Sequence, residues 1–417
     1  MGTYRDRYAF FLFAMLIAIA AFVISYISTK NYYTPESVFA GLLSSSEHTS
    51  AYPPGVFLIV NCFQKISGLA VNHYVYKSIM LILWFWTAYS AARYVLGKGW
   101  LCFFAVFAMM LNPYFVWSCL LSSSAASECF FLFLSLYMLI RLHDSVSDID
   151  RHIILYCLVA VVLAISAIVR STNFVILFSL LGFFIFAGRK KAKKYFAGLL
   201  LLFCIYTALF CFYNYKRSMS FGLGTTFGIN FFIGNNRAYL HGHPNYDIDV
   251  FFEKEILAGI KSEIKGLNEA QQNEYFFRAG IHEIWQDVPA FLYRCMVKSL
   301  WHWLNFEKIP RFTAPDTYLG SDGKTIHVSG IVILPALMYV MYKLFYIPLF
   351  AGALLLLFCR KLSLKEAVFF VPYFALWPVV ILLFPDTRFK ICAEIMAVIP
   401  MMRSLQYFFR RRCDGCS

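Results

Sequence analysis

Four carboxylates and three cations sit where an apolar chain has little structural use for them. Glu36 and Glu47 lie in the polar stretch 31–55, NYYTPESVFAGLLSSSEHTSAYPPG, between the first two apolar blocks. Glu128 heads a later apolar run as Ser127-Glu128-Cys129-Phe130, and Asp386 stands in Pro385-Asp386-Thr387-Arg388. Arg170, Arg388 and Lys77 fall near the ends of other apolar runs. A carboxylate at a protein–membrane boundary is desolvated, which raises its pKa and makes it a better base near neutral pH. A guanidinium offers a planar fork of donors that matches phosphate oxygens. A base beside phosphate-holding cations is the equipment for group transfer from a phosphate ester.

The elements that must carry these residues are membrane spans. The chain has 417 residues, 60% of them hydrophobic and only 14% charged, with a mean hydropathy of +0.64. This excludes a soluble globular class and predicts an all-α polytopic membrane protein. The net charge of +14 would suggest nucleic acid in a soluble chain. Here the cations cluster at the ends of apolar runs (Arg189-Lys190-Lys191, Lys193-Lys194, Arg360-Lys361, Arg410-Arg411-Arg412), which is the pattern of cytoplasmic loops that set orientation. No nucleic-acid partner is implied. The twelve cysteines are scattered, mostly within apolar runs, and imply no disulfide framework. Cys413-Asp414-Gly415-Cys416 lacks the second pair a zinc site needs, as the spacing of His241 and His243 lacks a third ligand.

Charge alternation predicts spans over 8–27, 73–96, 100–113, 117–142, 153–169, 172–188, 196–213, 329–358, 367–384 and 391–409, with both termini cytoplasmic. The run 55–68, broken by Asn61, Gln64 and Lys65, is too short to cross and reads as a re-entrant or interfacial element. The long polar segment 215–328 forms one external domain. Its stretches 250–267 and 269–287 look helical, and 289–306 has amphipathic spacing beside Trp285, Trp301 and Trp303, which suits a helix lying at the interface. The organisation is therefore an N-terminal transmembrane module, 1–214, containing the loop 29–54; an extracytoplasmic domain, 215–328; and C-terminal helices with a basic tail, 329–417. Loop 29–54, the start of the 117–142 helix, Arg170, the external segment and 385–388 share one side. No internal repeat of the kind found in inverted-repeat transporters is visible.

These pieces resemble the C-type glycosyltransferase superfamily, which uses polyprenyl-phosphate sugars as donors, and within it the protein O-mannosyltransferase and lipid A aminoarabinose transferase clan. The resemblance is carried by Thr34-Pro35-Glu36-Ser37 followed by Tyr52-Pro53-Pro54-Gly55, by Ser127-Glu128-Cys129, by Arg170-Ser171-Thr172-Asn173, by Gly234-Asn235-Asn236 and by Asp386-Thr387-Arg388-Phe389. It departs where the clan commonly has an aspartate beside Glu36, here Pro35, and a charged residue at Tyr52. The resemblance implies a bundle of about ten transmembrane helices and inverting transfer on the extracytoplasmic face. Glu36 would act as base, with Glu128 positioning acceptor or base. Arg388, Arg170 and Lys77 would hold the lipid phosphate, with Tyr52, Asn235, Asn236 and Asp386 also binding substrate. No resident metal site is implied, although facing carboxylates would suit a divalent cation. The partners would be a polyprenyl-phosphate-linked sugar, a lipid, glycan or protein acceptor, and membrane lipids. Segment 215–328 has no Asn-x-Ser/Thr, which leans toward a bacterial inner membrane. Two other classes use similar parts: a non-enzymatic flippase or transporter of lipid-linked sugars, and a polysaccharide polymerase or ligase.

Overall fold

The computed structural model describes residues 73–97, 99–112, 123–145, 153–188, 190–218, 226–236, 262–304, 333–383 and 387–414, with 59, 115, 221–224, 260, 317–319 and 325–327. The first predicted span, loop 29–54 and all of 55–68 except Ile59 lie outside them. The described chain is mostly helical and is that of an integral membrane protein. Its helices include four stretches long and apolar enough to cross a membrane, Ser78–Leu96, Ala125–Asp144, Lys190–Lys216 and Leu364–Leu382. Shorter apolar helices run over Trp100–Met110, Ile154–Val169, Ser171–Ala187 and Tyr342–Phe358.

In chain order the helices are α1 (His73–Leu96), α2 (Trp100–Met110), α3 (Ser123–Asp144), α4 (Ile153–Val169), α5 (Ser171–Ala187) and α6 (Lys190–Ser218). The polar segment contributes α7 (Phe227–Asn235), α8 (Glu269–Gln286) and α9 (Val288–Leu304). It also holds an antiparallel hairpin of β1 (Thr317–Leu319) and β2 (Thr325–His327), with Tyr318 opposite Ile326. Then follow α10 (Ile333–Phe358), the short α11 (Leu364–Ala367), a 3₁₀ turn at Val368–Phe370, α12 (Val371–Leu382) and α13 (Thr387–Asp414).

Several boundaries differ from the sequence reading for local reasons. The lysines of 190–194, read as a loop, are the first turns of α6; lysine is a good helix former and its long stem lets the ammonium reach water. The 100–113 run stops early because Asn112 turns the chain, its Oδ1 accepting from Phe115 N at 3.0 Å. Of the stretch 250–267 the described residues are Ile260, which is helical, and 262–267, where turns and a bend lead to Gly266 at φ 89°, a left-handed conformation suited to glycine. Helix α8 begins where its cap dictates. Asn268 Oδ1 accepts from Gln271 N at 2.9 Å, and Gln271 Oε1 from Asn268 N at 3.0 Å.

The main core is the helix bundle. Helix α1 packs along α3, and its Ala88, Ala91 and Ala92 are fully buried, since small residues let helix backbones approach closely. Trp84 fills the space beside them, 4.3 Å from the Phe115 ring and 6.1 Å from Phe133 between centroids. Apolar side chains such as Trp86, Phe186 and Leu209 remain exposed on the outside, as a bundle solvated by lipid requires. A smaller core of Phe231, Ile233 and Leu383, with Phe277 and Trp301 against it, joins α7, α8 and α9 to the end of α12.

Candidate active site

Helix α3 opens with the small residues Ala125, Ala126 and Ser127, all buried, and this brings Glu128 into the interior at 2% exposure. An unpaired carboxylate there would be costly, and the chain supplies a cation from the break between α4 and α5. Arg170 is extended at that break (φ −153°, ψ 130°), and its Nη1 lies 2.6 Å from Glu128 Oε2. The break is held by Asn173, whose Nδ2 donates to Ser166 O and Oγ, both at 3.2 Å. Two contacts then tie this point to neighbouring helices. The Tyr76 hydroxyl of α1 bonds Ser127 Oγ at 2.7 Å, and Cys129 Sγ lies 3.1 Å from Cys392 Sγ of α13.

A second buried carboxylate stands close by on α13. Glu394 is 1% exposed, and its Oε2 accepts from Tyr342 Oη of α10 at 3.2 Å and from Asn112 Nδ2 at 3.3 Å. Asn112 Nδ2 also donates to Tyr342 Oη at 2.8 Å. Glu394 is seven residues into α13, about 10 Å along its axis, and Cys392 beside it touches the α3 end at Glu128. Both carboxylates therefore belong to the same end of the bundle.

The third part comes from outside the spans. Arg294, Lys298 and His302 recur every four residues on α9 and are all buried. Leu292, Met296 and Leu300, on the same period but two residues earlier, are about half exposed; two residues are about 200° of helix, so the faces are opposite. The helix turns its basic side chains inward and its apolar side outward, an arrangement favourable where the outside is apolar. Lys298 Nζ donates to Gly234 O and Leu383 O, each at 3.0 Å, and lies 3.4 Å from Asn235 Oδ1. Three convergent oxygens match the three donors of an ammonium, and two belong to helix C-terminal ends, which carry partial negative charge. Burial still pushes Lys298 down to about 8, which leaves it charged at neutral pH. Burial, with the nearby Lys390 charge, pushes His302 down to about 3. It is therefore a neutral imidazole whose Nε2 faces Tyr373 O at 3.2 Å, while Tyr373 Oη donates to His302 O at 2.7 Å.

The residues singled out from sequence divide as follows. Glu128 and Arg170 form one pair. Lys77 lies on the first turns of α1, next to the Tyr76 that bonds Ser127, and Arg388 on the first turn of α13; their side chains lie outside the described residues. Glu36, Glu47, Tyr52 and Asp386 lie outside them altogether. The Gly234-Asn235 step is the end of α7. Asn235 is fully buried, its Nδ2 bonded to Phe231 O and Leu382 O, both at 2.8 Å. It is engaged as a joint; Asn236, half-buried, is the residue that continues beyond the helix. Sequence reasoning missed Glu394, Lys390, Lys298 and His302. Glu394 was visible as a charge inside the final apolar run and Lys390 as one at its edge, and Arg294-x₃-Lys298-x₃-His302 as a one-face period. Among the described residues no three His, Cys, Asp or Glu side chains are grouped as a metal would require.

No protein-family model matches the chain, and no curated protein matches it. Among solved structures, 87% of the chain is similar to 43% of the archaeal oligosaccharyltransferase AglB from Archaeoglobus fulgidus, solved in complex with an inhibitory peptide and a dolichol-phosphate, at 15% identity and a TM-score of 0.42. The chain spans less than half the length of that protein.

Proposed function

We propose that the chain is an integral membrane glycosyltransferase of the C type, moving a sugar from a polyprenyl-phosphate donor to an acceptor on the extracytoplasmic face, with inversion. The observation that carries this reading is the buried Glu128–Arg170 pair, set where the first turns of α1, α3 and α13 meet. Lys77, Arg170 and Arg388 would be the cations that hold the donor phosphate there. Glu36, a few residues beyond the first predicted span, is the base that takes the acceptor's proton, and Glu128 orients acceptor and base through its ion pair. The full bundle would have ten spans and a re-entrant 55–68 element, with 215–328 as the external domain, in a bacterial inner membrane. Helix α9 fits that domain's contact with the bilayer, its apolar face toward lipid.

Purified protein in lipid nanodiscs, given polyprenyl-phosphate sugars and candidate acceptors, should release polyprenyl phosphate. Movement of intact lipid-linked sugar across a vesicle with no release would make it a flippase instead. The orientation is tested by cysteines at Ser45, Asn268 and Lys191: the first two should label with an impermeant reagent in intact cells and the third should not. Labelling confined to Lys191 would put the site on the opposite face.

A further inference from the structure

Two helix ends converge on one lysine. The last turn of α7 brings Gly234 so close to the end of α12 that a Cβ at that position would collide with the Leu383 carbonyl; only glycine permits the contact. Asn235 spans the same gap to Leu382 O. From α9, the Lys298 ammonium drops between the two ends and bonds both carbonyls. The same helix is fixed to α12 by the Trp377 Nε1–Ser299 Oγ bond at 2.8 Å and by the reciprocal His302–Tyr373 contacts. It also meets the beginning of α13, where Lys390 Nζ lies 3.5 Å from Trp301 O. Thus α9, a helix of the polar segment, fixes where α12 stops and where α13 starts, and Arg388 is in the first turn of α13.

We infer that Lys298 is a positioning residue for the donor: it ties the outward ends of α7 and α12 to α9 and so sets the place of Arg388 against the donor phosphate. This rests on the proposed transferase reading, but its mechanical half does not. A buried lysine is an expensive way to hold three helices if stability were the only return, because an apolar side chain of the same length fills the volume without desolvating a charge. What the ammonium adds is direction: it meets three oxygens at once and allows only one relative placement of the ends that carry them.

The test is Lys298→Met, which keeps the length and removes the donors, measured by donor and acceptor KM and by hydrogen exchange in nanodiscs. The donor KM should rise by about tenfold with the acceptor KM within about twofold of the parent. Peptides over 232–238 and 380–392 should exchange about tenfold faster, while 125–144 is unchanged. A merely structural lysine would instead lower the folded fraction and leave both KM values of the folded enzyme alone. Should the methionine variant not accumulate, Lys298→Arg carries the test; it keeps the charge but not the three-point fit, and its donor KM should rise by about threefold. Unchanged exchange and an unchanged donor KM would overturn the inference. Faster exchange in a protein whose parent uses no polyprenyl-phosphate donor would sink the transferase reading and leave the joint standing.

Discussion

The two ends of α3 handle charge in opposite ways. Glu128 and Asp144 are sixteen residues apart on one helix, about 24 Å along its axis. At the Glu128 end the carboxylate is 3% exposed and holds a single short ion pair to an arginine from a backbone break. Behind it stand a second buried carboxylate and three buried basic residues of α9. At the Asp144 end the charges of Asp144 and Lys365 are partly in water. Asp144 meets Lys365 Nζ at 2.6 Å with the two side chains 25% and 40% exposed. It accepts a hydrogen bond from Tyr94, whose ring also receives Arg141, 5.1 Å from its centroid. Glu366 nearby is itself buried, but its carboxylate caps a helix start, bonded by Ser363 N at 2.7 Å, and pairs at 2.7 Å with the Nε of a partly exposed Arg403 side chain. That end looks built to stop helices and face headgroups. The Glu128 end retains ions that burial penalises, which is the usual mark of a working site.

Removing a proton acceptor should matter at one end only. Glu36→Gln keeps shape and hydrogen bonding, so turnover should fall by about 100- to 10,000-fold with donor binding retained. Asp144→Asn should leave turnover within about threefold, as a residue that touches no reacting group would. Near-parental turnover in Glu36→Gln with a dead Glu128→Gln would move the base to α3. The next largest effect is on folding. Glu128→Leu leaves the Arg170 charge without its carboxylate and should destabilise by about 3–5 kcal/mol, measured by thermal unfolding in detergent. Glu128→Leu/Arg170→Met should recover most of that loss without recovering activity. Full stability in the single variant would show that the pair is not desolvated.

A smaller effect reports on the α9 stripe. Lys298 stands at about 8 in the fold against an ordinary 10.5, so below pH 8 both folded and unfolded chains hold the proton. Between about pH 8 and 10.5 only the unfolded chain does, and stability rises with pH there by up to about 3 kcal/mol. Thermal unfolding of the parent minus that of Lys298→Met, followed from pH 7 to 10, should show this rise; a flat difference would mean the three oxygens offset burial fully. The smallest effect belongs to the Asp144 end, where Lys365→Ala should cost no more than about 1 kcal/mol because both partners are solvated. A loss as large as that of Glu128→Leu would erase the distinction between the ends.

Sequence alone was enough for the membrane class and for the span ends of α1, α4 and α5, because an uninterrupted apolar run has no other stable solvent and its flanking cations mark its ends. It also picked out Glu128 and Arg170, since a charge in or beside an apolar run demands an explanation. It did not pair them: they are forty-two residues apart on different helices, and only the packing of α3 against α4 and α5 puts them 2.6 Å from each other. Nor did it show that Asn235 is a buried joint, because that depends on the α12 carbonyl it meets. Lys298 is the clearest case. In sequence it is one cation among many on an amphipathic helix; its role comes from two distant helix ends, Gly234 and Leu383, offering carbonyls at the same point. Local pattern determines which residues are anomalous in lipid, and tertiary packing decides which anomalies compensate one another, since electrostatic partners act by distance in space and not along the chain.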